Sequence, residues 1–410
     1  MTPEHATTPR DQRVNLSILG ATAFLRGAHT SAYGVIWQPF VLSLGASMPT
    51  LGLLNSLGGM NGIVTTLVQP LGGWFADQLG RKPFILLASL AYVIGYALFW
   101  LSGALNFWTL LLLGVFALGV SALANPARTS MTAESVSERH GSAFSAIVLA
   151  GMLPGIVVPA LAGALADRFG YISIFPISLA LEAIGLFLAW RYLRETRAST
   201  GIDVGWREIS RAMLRAIVPP RKLLGFFIAV AGDSFAWGIG WGLLYGMITE
   251  TYHFSAEQLG IMSSVMSLAW AIMQMPIGRY IDQHRTKWMM VFSEALGIPL
   301  MLIWITQAQF EVFVASQVLF AASAATWVPT VSTYLTREVS AAERAEAFGR
   351  LNMFRGLIAF PASILGGVLY AWGGLRAPLI ANLIGSFLVV MILALFVRES
   401  KAVNSGAVGQ

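Results

Sequence analysis

Twelve stretches of this chain are about 20 residues or longer, apolar and nearly free of charge, which in a bilayer is the length and character of a spanning helix. They run over 15–43, 50–76, 83–102, 106–130, 141–166, 171–192, 223–250, 256–281, 286–306, 310–336, 346–371 and 375–397. The runs are too long for barrel strands and do not alternate apolar with polar, so the expected class is an all-α membrane protein. Only 11% of the 410 residues are charged and 56% are hydrophobic. A set of soluble domains needs about twice that charge on its surface, and is excluded. No signal peptide is read at the start, where polar residues precede a run too long for a signal core.

Lysine and arginine orient the spans. The connections near 44–49 and 103–105 carry no charge, whereas those near 77–82, 131–140, 193–222, 282–287 and 337–350 do. Roughly 21 of the 26 basic residues fall on the second set and the two termini, which predicts that this side, with both chain ends, is cytoplasmic. The net charge of +6 and the pI of 9.7 therefore reflect topology, and nucleic acid is not an expected partner. The expected location is the cell membrane, the inner one in a bacterium. Without cysteine there are no disulfides, thiolate metal sites or cysteine nucleophiles. Phosphate-loop, zinc-helix and dinucleotide motifs are missing too, so neither metal, cofactor nor catalysis is expected.

The chain repeats itself at half-length. Gly73, Asp77 and Gln78 recur as Gly278, Asp282 and Gln283, and Gly27 as Gly232, at a shift of 205; Pro126, Gly163 and Gly170 recur as Pro329, Gly366 and Gly373, at 203. Each match falls at the corresponding place in its span, which predicts two related six-helix bundles, 1–192 and 223–410. Between them lies a polar segment, 193–222. There Trp206, Ile209, Met213 and Ile217 recur at helical spacing with Arg207, Arg211 and Arg215 on another face. This reads as an amphipathic helix on the cytoplasmic leaflet or as a solvated linker helix.

Residues 72–83, Gly-Gly-Trp-Phe-Ala-Asp-Gln-Leu-Gly-Arg-Lys-Pro, resemble the loop motif between helices 2 and 3 of the major facilitator superfamily, Gly-x-x-x-Asp-x-x-Gly-Arg-Lys/Arg. Gly73, Asp77, Gly80, Arg81 and Lys82 match it. With twelve spans and a central linker the resemblance covers the whole chain. It implies a secondary transporter whose site lies between two six-helix halves near mid-membrane, with the 73–82 cluster latching the cytoplasmic side shut in the outward-facing state. Three places depart from the family pattern: Arg285 stands where the second copy would have the glycine equivalent to Gly80, Val115 where many proton-coupled members carry an arginine, and Val158 and Ala162 where exporters often have glycine. Pro159 and Gly163 keep the rest of that exporter element.

Ionisable groups inside a span cost about 2.5–3.5 kcal/mol each at the helix centre, so each calls for a reason. Arg26 and His29 lie in the first span, Glu182 in the sixth, Asp233 in the seventh, Glu294 in the ninth and Arg355 in the eleventh. Arg128, near the end of the fourth, is expected to snorkel. Arg26, His29, Tyr33 and Trp37 share one helix face, as do Asp233, Trp237 and Trp241; the tenth span adds Thr326, Trp327, Thr330 and Tyr334. In the family, helices 1, 4, 7 and 10 line the cavity, so the resemblance implies that these faces and Arg355 meet the substrate. Arg26 and Asp233 sit at similar depth and are expected to lie within reach of each other, Asp233 carrying a proton with Arg26 and His29 as partners. Glu182 and Glu294 fall on helices that are peripheral in the family and are expected to pair with neighbours.

These readings converge on a monomeric, proton-coupled antiporter of the bacterial efflux type. It would export an amphipathic or aromatic small molecule by alternating access. The alternative within transport is symport or facilitated uptake of an organic anion held by Arg26 and Arg355. Outside transport, a receptor would leave the mid-membrane charges without a purpose, and a membrane-embedded enzyme would need a polar constellation at the membrane surface, whereas the five histidines are scattered.

Overall fold

The computed structural model describes residues 8–59, 62–136, 140–196, 213–214, 217–340 and 343–398. Among the described residues, eleven helical segments are long and apolar enough to cross a membrane: α2 (Met48–Gly58, taken up again at Ile63–Leu79), α3 (Lys82–Leu105), α4 (Leu110–Glu134), α5 (Ala143–Phe169), α6 (Tyr171–Tyr192), α7 (Arg221–Tyr252), α8 (Ala256–Ile281), α9 (Thr286–Thr306), α10 (Phe310–Glu338), α11 (Glu346–Gly373) and α12 (Arg376–Phe396). The first helix, α1 (Pro9–Ser43), is 35 residues long but more polar, because it carries Arg26, His29 and Gln38. Together they are the twelve expected spans, with ends shifted by a few residues. Of the expected amphipathic helix, Trp206, Arg207, Ile209, Arg211 and Arg215 lie outside the described residues.

Local chemistry sets the helix limits. Ser47 and Ser255 cap α2 and α8, the second in a reciprocal box with Gln258. Asn106 and His253 end α3 and α7 in left-handed conformation. Pro154 lies within a 3₁₀ turn inside α5, Leu153–Ile156, and Pro159 opens the helix that resumes after it. A second break, Trp241–Leu243 in α7, lies between glycines and loosens two backbone groups. They are satisfied from α1 and α2: Gly242 O accepts from Gln38 Nε2 at 3.0 Å and Asn55 Nδ2 at 3.1 Å, and the Gly246 N–H donates to Gln38 Oε1 at 2.7 Å. Irregular backbone within a membrane needs such partners.

Helices α1–α6 form one bundle and α7–α12 the other, joined chiefly where α2 packs on α11 and α5 on α8. The end where α1 finishes and α2 begins is called here the far end, and the opposite one, nearest residues 193–222, the linker end. Among the described residues, hydrogen bonds join the bundles from the far end inward, through Gln38, Asn55, Asp167 and the Ala160 N–H, which donates to Ser264 Oγ. There the helices touch at backbone distance: a Cβ on Gly163 would run into the Ala256 carbonyl, and one on Gly367 into that of Met48. With no water to expel, such small-residue contacts and hydrogen bonds are what hold membrane helices together. Toward the linker end the halves part around a cavity of about 420 Å³ between α2, α4 and α11.

Candidate functional site

Each bundle buries its own polar cluster. In the first, Arg26 Nη2 on α1 donates to Glu182 Oε1 on α6 at 3.2 Å and to Ser89 Oγ on α3 at 3.3 Å. His29 Nε2 meets Glu182 Oε2 at 2.6 Å, and its Nδ1 meets the Tyr96 hydroxyl at 2.8 Å. A carboxylate only accepts, so in the neutral ring Nε2–H donates and Nδ1 accepts from Tyr96. His29 is fully buried and Glu182 is 2% exposed. Arg26 also stands 5.6 Å from the centre of the Tyr92 ring, within cation–π range.

In the second bundle Asp233 on α7 and Glu294 on α9 are buried close enough for their carboxyl groups to interact, with Arg355 of α11 as the nearby cation. Glu294 Oε2 accepts from Trp237 Nε1 at 3.3 Å, whereas Oε1 is buried and receives no donor from the protein. Ser386 of α12 completes the group. The two clusters are related by the repeat, with types exchanged. Ser89 corresponds to Glu294 at a shift of 205, and Glu182 to Ser386 at 204. The carboxylate and the hydroxyl have traded places between the halves.

The expected Arg26–Asp233 pair is therefore not formed. Although the two share a depth, each turns into its own bundle, where a carboxyl and a hydroxyl on neighbouring helices satisfy it. Glu182 and Glu294, expected to pair with neighbours, do so as the centres of these clusters. Arg128 does not snorkel: its guanidinium turns inward toward Arg26 and Glu182, and its Nη2 is buried without a partner. The aromatic faces also pack within their halves. Trp37 is 5% exposed, donates to Asn55 Oδ1 at 2.7 Å and packs at a tilt against the rings of Tyr33 and Phe99. Trp237 and Trp241 lie on Phe320 of α10, and Trp327 packs against the apolar core around Phe226 and Tyr334. Thr326 and Thr330 are buried and donate to carbonyls of their own helix, at Ala322 and Thr326, and neither borders the 420 Å³ cavity. Arg355 does, beside Thr65, Gln69, Asn125, Thr129 and Asn352. It is the residue shared by cavity and carboxyl pair.

The 73–82 motif forms a compact knot at the linker end. Gly73 lets α2 approach Pro126 of α4, whereas its repeat, Gly278, has open space around it. Gly80 turns the chain at φ 98°, ψ 163°, a conformation that side chains oppose. Arg81, 4% exposed, then reaches back to Asp77 and across to Glu134 of α4 at 3.1 Å. Glu195, beyond α6, accepts the Arg81 and Lys82 amides at 2.8 and 2.9 Å, and Lys82 Nζ donates to Trp190 O at 2.8 Å. Glu134 and Glu195 were not singled out from the sequence, because nothing in their local pattern marks partners 53 and 114 residues away.

Two stretches, residues 19–232 and 223–410, match the sequence profile of the Major Facilitator Superfamily. The chain belongs to the Major Facilitator Superfamily. Among curated members of this superfamily, the multidrug resistance protein MdtG of Dickeya zeae is 26% identical over 386 residues, 90% of this chain and 91% of that one. The multi-drug resistance efflux pump PmrA of Streptococcus pneumoniae is 33% identical over 193 residues, 44% of this chain and 45% of its own. Among solved structures, a mutant of the nucleoside transporter NupG superposes with a TM-score of 0.72 over 92% of this chain and 98% of that one, at 16% identity, a likeness of fold. As a Major Facilitator Superfamily member the protein is a multi-pass membrane protein and a secondary transporter.

Proposed function

We propose that this transporter exports amphipathic, largely apolar or aromatic compounds in exchange for protons, with Asp233 and Glu294 as the proton site. The observation that carries this reading is the orphan Glu294 Oε1 beside the Asp233 carboxyl. Two carboxylates placed so closely repel, and neither can donate to the other unless one holds a proton. A single proton between them satisfies Oε1 and leaves one negative charge opposite Arg355. Because Arg355 also lines the cavity, a substrate that draws the guanidinium away, or that lets water in, changes the pair's hold on its proton. Glu182, held by Arg26 and His29, serves as a structural anion. The names of the curated relatives support export of drug-like compounds, and the basic bias of the linker end supports a cytoplasmic placement for it and for both termini. The functional unit is a monomer in the inner membrane.

The test is transport by the purified protein in proteoliposomes. Substrate loaded inside the vesicles should acidify the lumen as it leaves, because exchange brings protons in, and an imposed pH gradient should drive accumulation of a lipophilic dye against its own gradient. Dye movement that ignores the pH gradient would refute proton exchange.

The 73–82 knot is assigned the role of a linker-end latch. Asp77→Asn removes the charge that steadies Arg81 while leaving the bulk of the knot in place. The expected result is normal insertion with the equilibrium moved away from the state closed at the linker end. Engineered cysteines read this cleanly, since the chain has none of its own: labelling from the linker side should rise, and unchanged labelling would remove the latch role.

A further inference from the structure

The segment Gly163–Gly170, Gly-Ala-Leu-Ala-Asp-Arg-Phe-Gly, repeats the Gly-x-x-x-Asp-x-x-Gly spacing of residues 73–80, ninety residues later. The backbone repeats as well. Gly80 ends α2 at φ 98°, ψ 163°, and Gly170 ends α5 at φ 80°, ψ 156°. Helices α2 and α5 run in opposite senses, as inverted three-helix repeats within a half require. One motif thus lies at the linker end and its copy at the far end.

In the copy, the aspartate crosses between the bundles. Asp167 Oδ1 accepts the Ala256 N–H and Oδ2 the Glu257 N–H, both at 2.9 Å, at the first turn of α8. The other two amides there are met locally: Gln258 N–H by Ser255 Oγ at 3.3 Å, and Ser255 N–H by Gln258 Oε1 at 2.9 Å. The start of α8 is therefore fully capped only while the halves touch. When they part at the far end, two amides and the positive end of the helix dipole lose their carboxylate. One turn before Asp167, Gly163 brings α5 against the Ala256 backbone, and Gly260 meets Pro159 in the same way. The second half has no equivalent: Tyr370 stands at the corresponding place, and its hydroxyl meets Thr251 of its own bundle at 3.0 Å.

We propose that Asp167 is a positioning residue of the transport cycle, a far-end latch that holds α5 to α8 and opposes the latch around Asp77, so that two copies of one motif secure opposite ends. The proposal rests on the two-state movement of the halves and not on which groups carry protons.

The experiment measures distances between spin labels on cysteines in the protein held in lipid nanodiscs. One pair, at Phe169 and Glu250, spans the far end; a second, at Leu79 and Gln283, spans the linker end; all four positions are exposed. Asp167→Ala should raise the ratio of far-open to far-closed populations by roughly two- to thirty-fold, the range expected for loss of a helix cap. The linker-end pair should move closer in step. Asp167→Asn, which keeps one acceptor oxygen, should fall between. Asp77→Asn should move both pairs the other way. Asp167 is exposed, so its loss should leave folding intact. Distances in Asp167→Ala equal to the wild type, or a widening at the linker end, would overturn the proposal. The readout is a distance, so a failure of proton coupling would leave it unchanged.

Discussion

Glu182→Gln should destabilise the protein by about 3–5 kcal/mol, the usual cost of removing one partner from a buried ion pair. Glu182 is the acceptor for both Arg26 and His29. Without its charge, the guanidinium groups of Arg26 and Arg128 would face each other inside the first bundle, where Arg26 Nε and Arg128 Nη2 already lack partners. Glutamine has the same shape, so packing is kept and the loss reports charge. Denaturant-induced unfolding in mild detergent, followed by tryptophan fluorescence, measures it. The same change at Glu294 should cost less than about 1 kcal/mol, because an amide there resembles a carboxyl that already holds or shares a proton. Equal stability of Glu182→Gln and wild type would show that the first cluster does not need its anion.

The second large effect is on transport. Asp233→Asn or Glu294→Gln should reduce gradient-driven accumulation in proteoliposomes to the level of protein-free vesicles, because the pair can no longer gain and lose its proton. Substrate binding should weaken by less than about tenfold, or 1.4 kcal/mol, since neither residue is required to shape the cavity beside Asn125 and Asn352. Binding should also lose its dependence on pH between 5 and 9. Accumulation that persists in both variants would move the proton site elsewhere, with His29 as the next group to test.

How much of this was legible in the sequence follows from the range of each interaction. The twelve spans are local properties of 20-residue windows, and the halves show in the recurrence of Gly73, Asp77 and Pro126. The knot at 73–82 is contiguous, so its members could be named together. The clusters could not be assembled in that way. Arg26 meets Glu182 across 156 residues, and helical spacing on α1 says which residues share a face but not what that face meets. Tryptophans at four-residue steps looked like a cavity lining; in the fold Trp37 and Trp237 donate to Asn55 and Glu294 and pack within their own bundles. The usable sign was chemical: an intramembrane carboxyl such as Glu182 or Glu294, with no basic residue one turn away, must find its partner on another helix.

The central claim is that substrate and proton compete through the Asp233–Glu294 pair. Proton release on substrate binding tests it most directly, measured with a pH-sensitive dye in unbuffered detergent solution near pH 7. A lipophilic compound shown to bind should release protons from the wild type, up to about one per chain, and none from Glu294→Gln at equal occupancy. Binding without proton release from the wild type, or undiminished release from Glu294→Gln, would contradict the account.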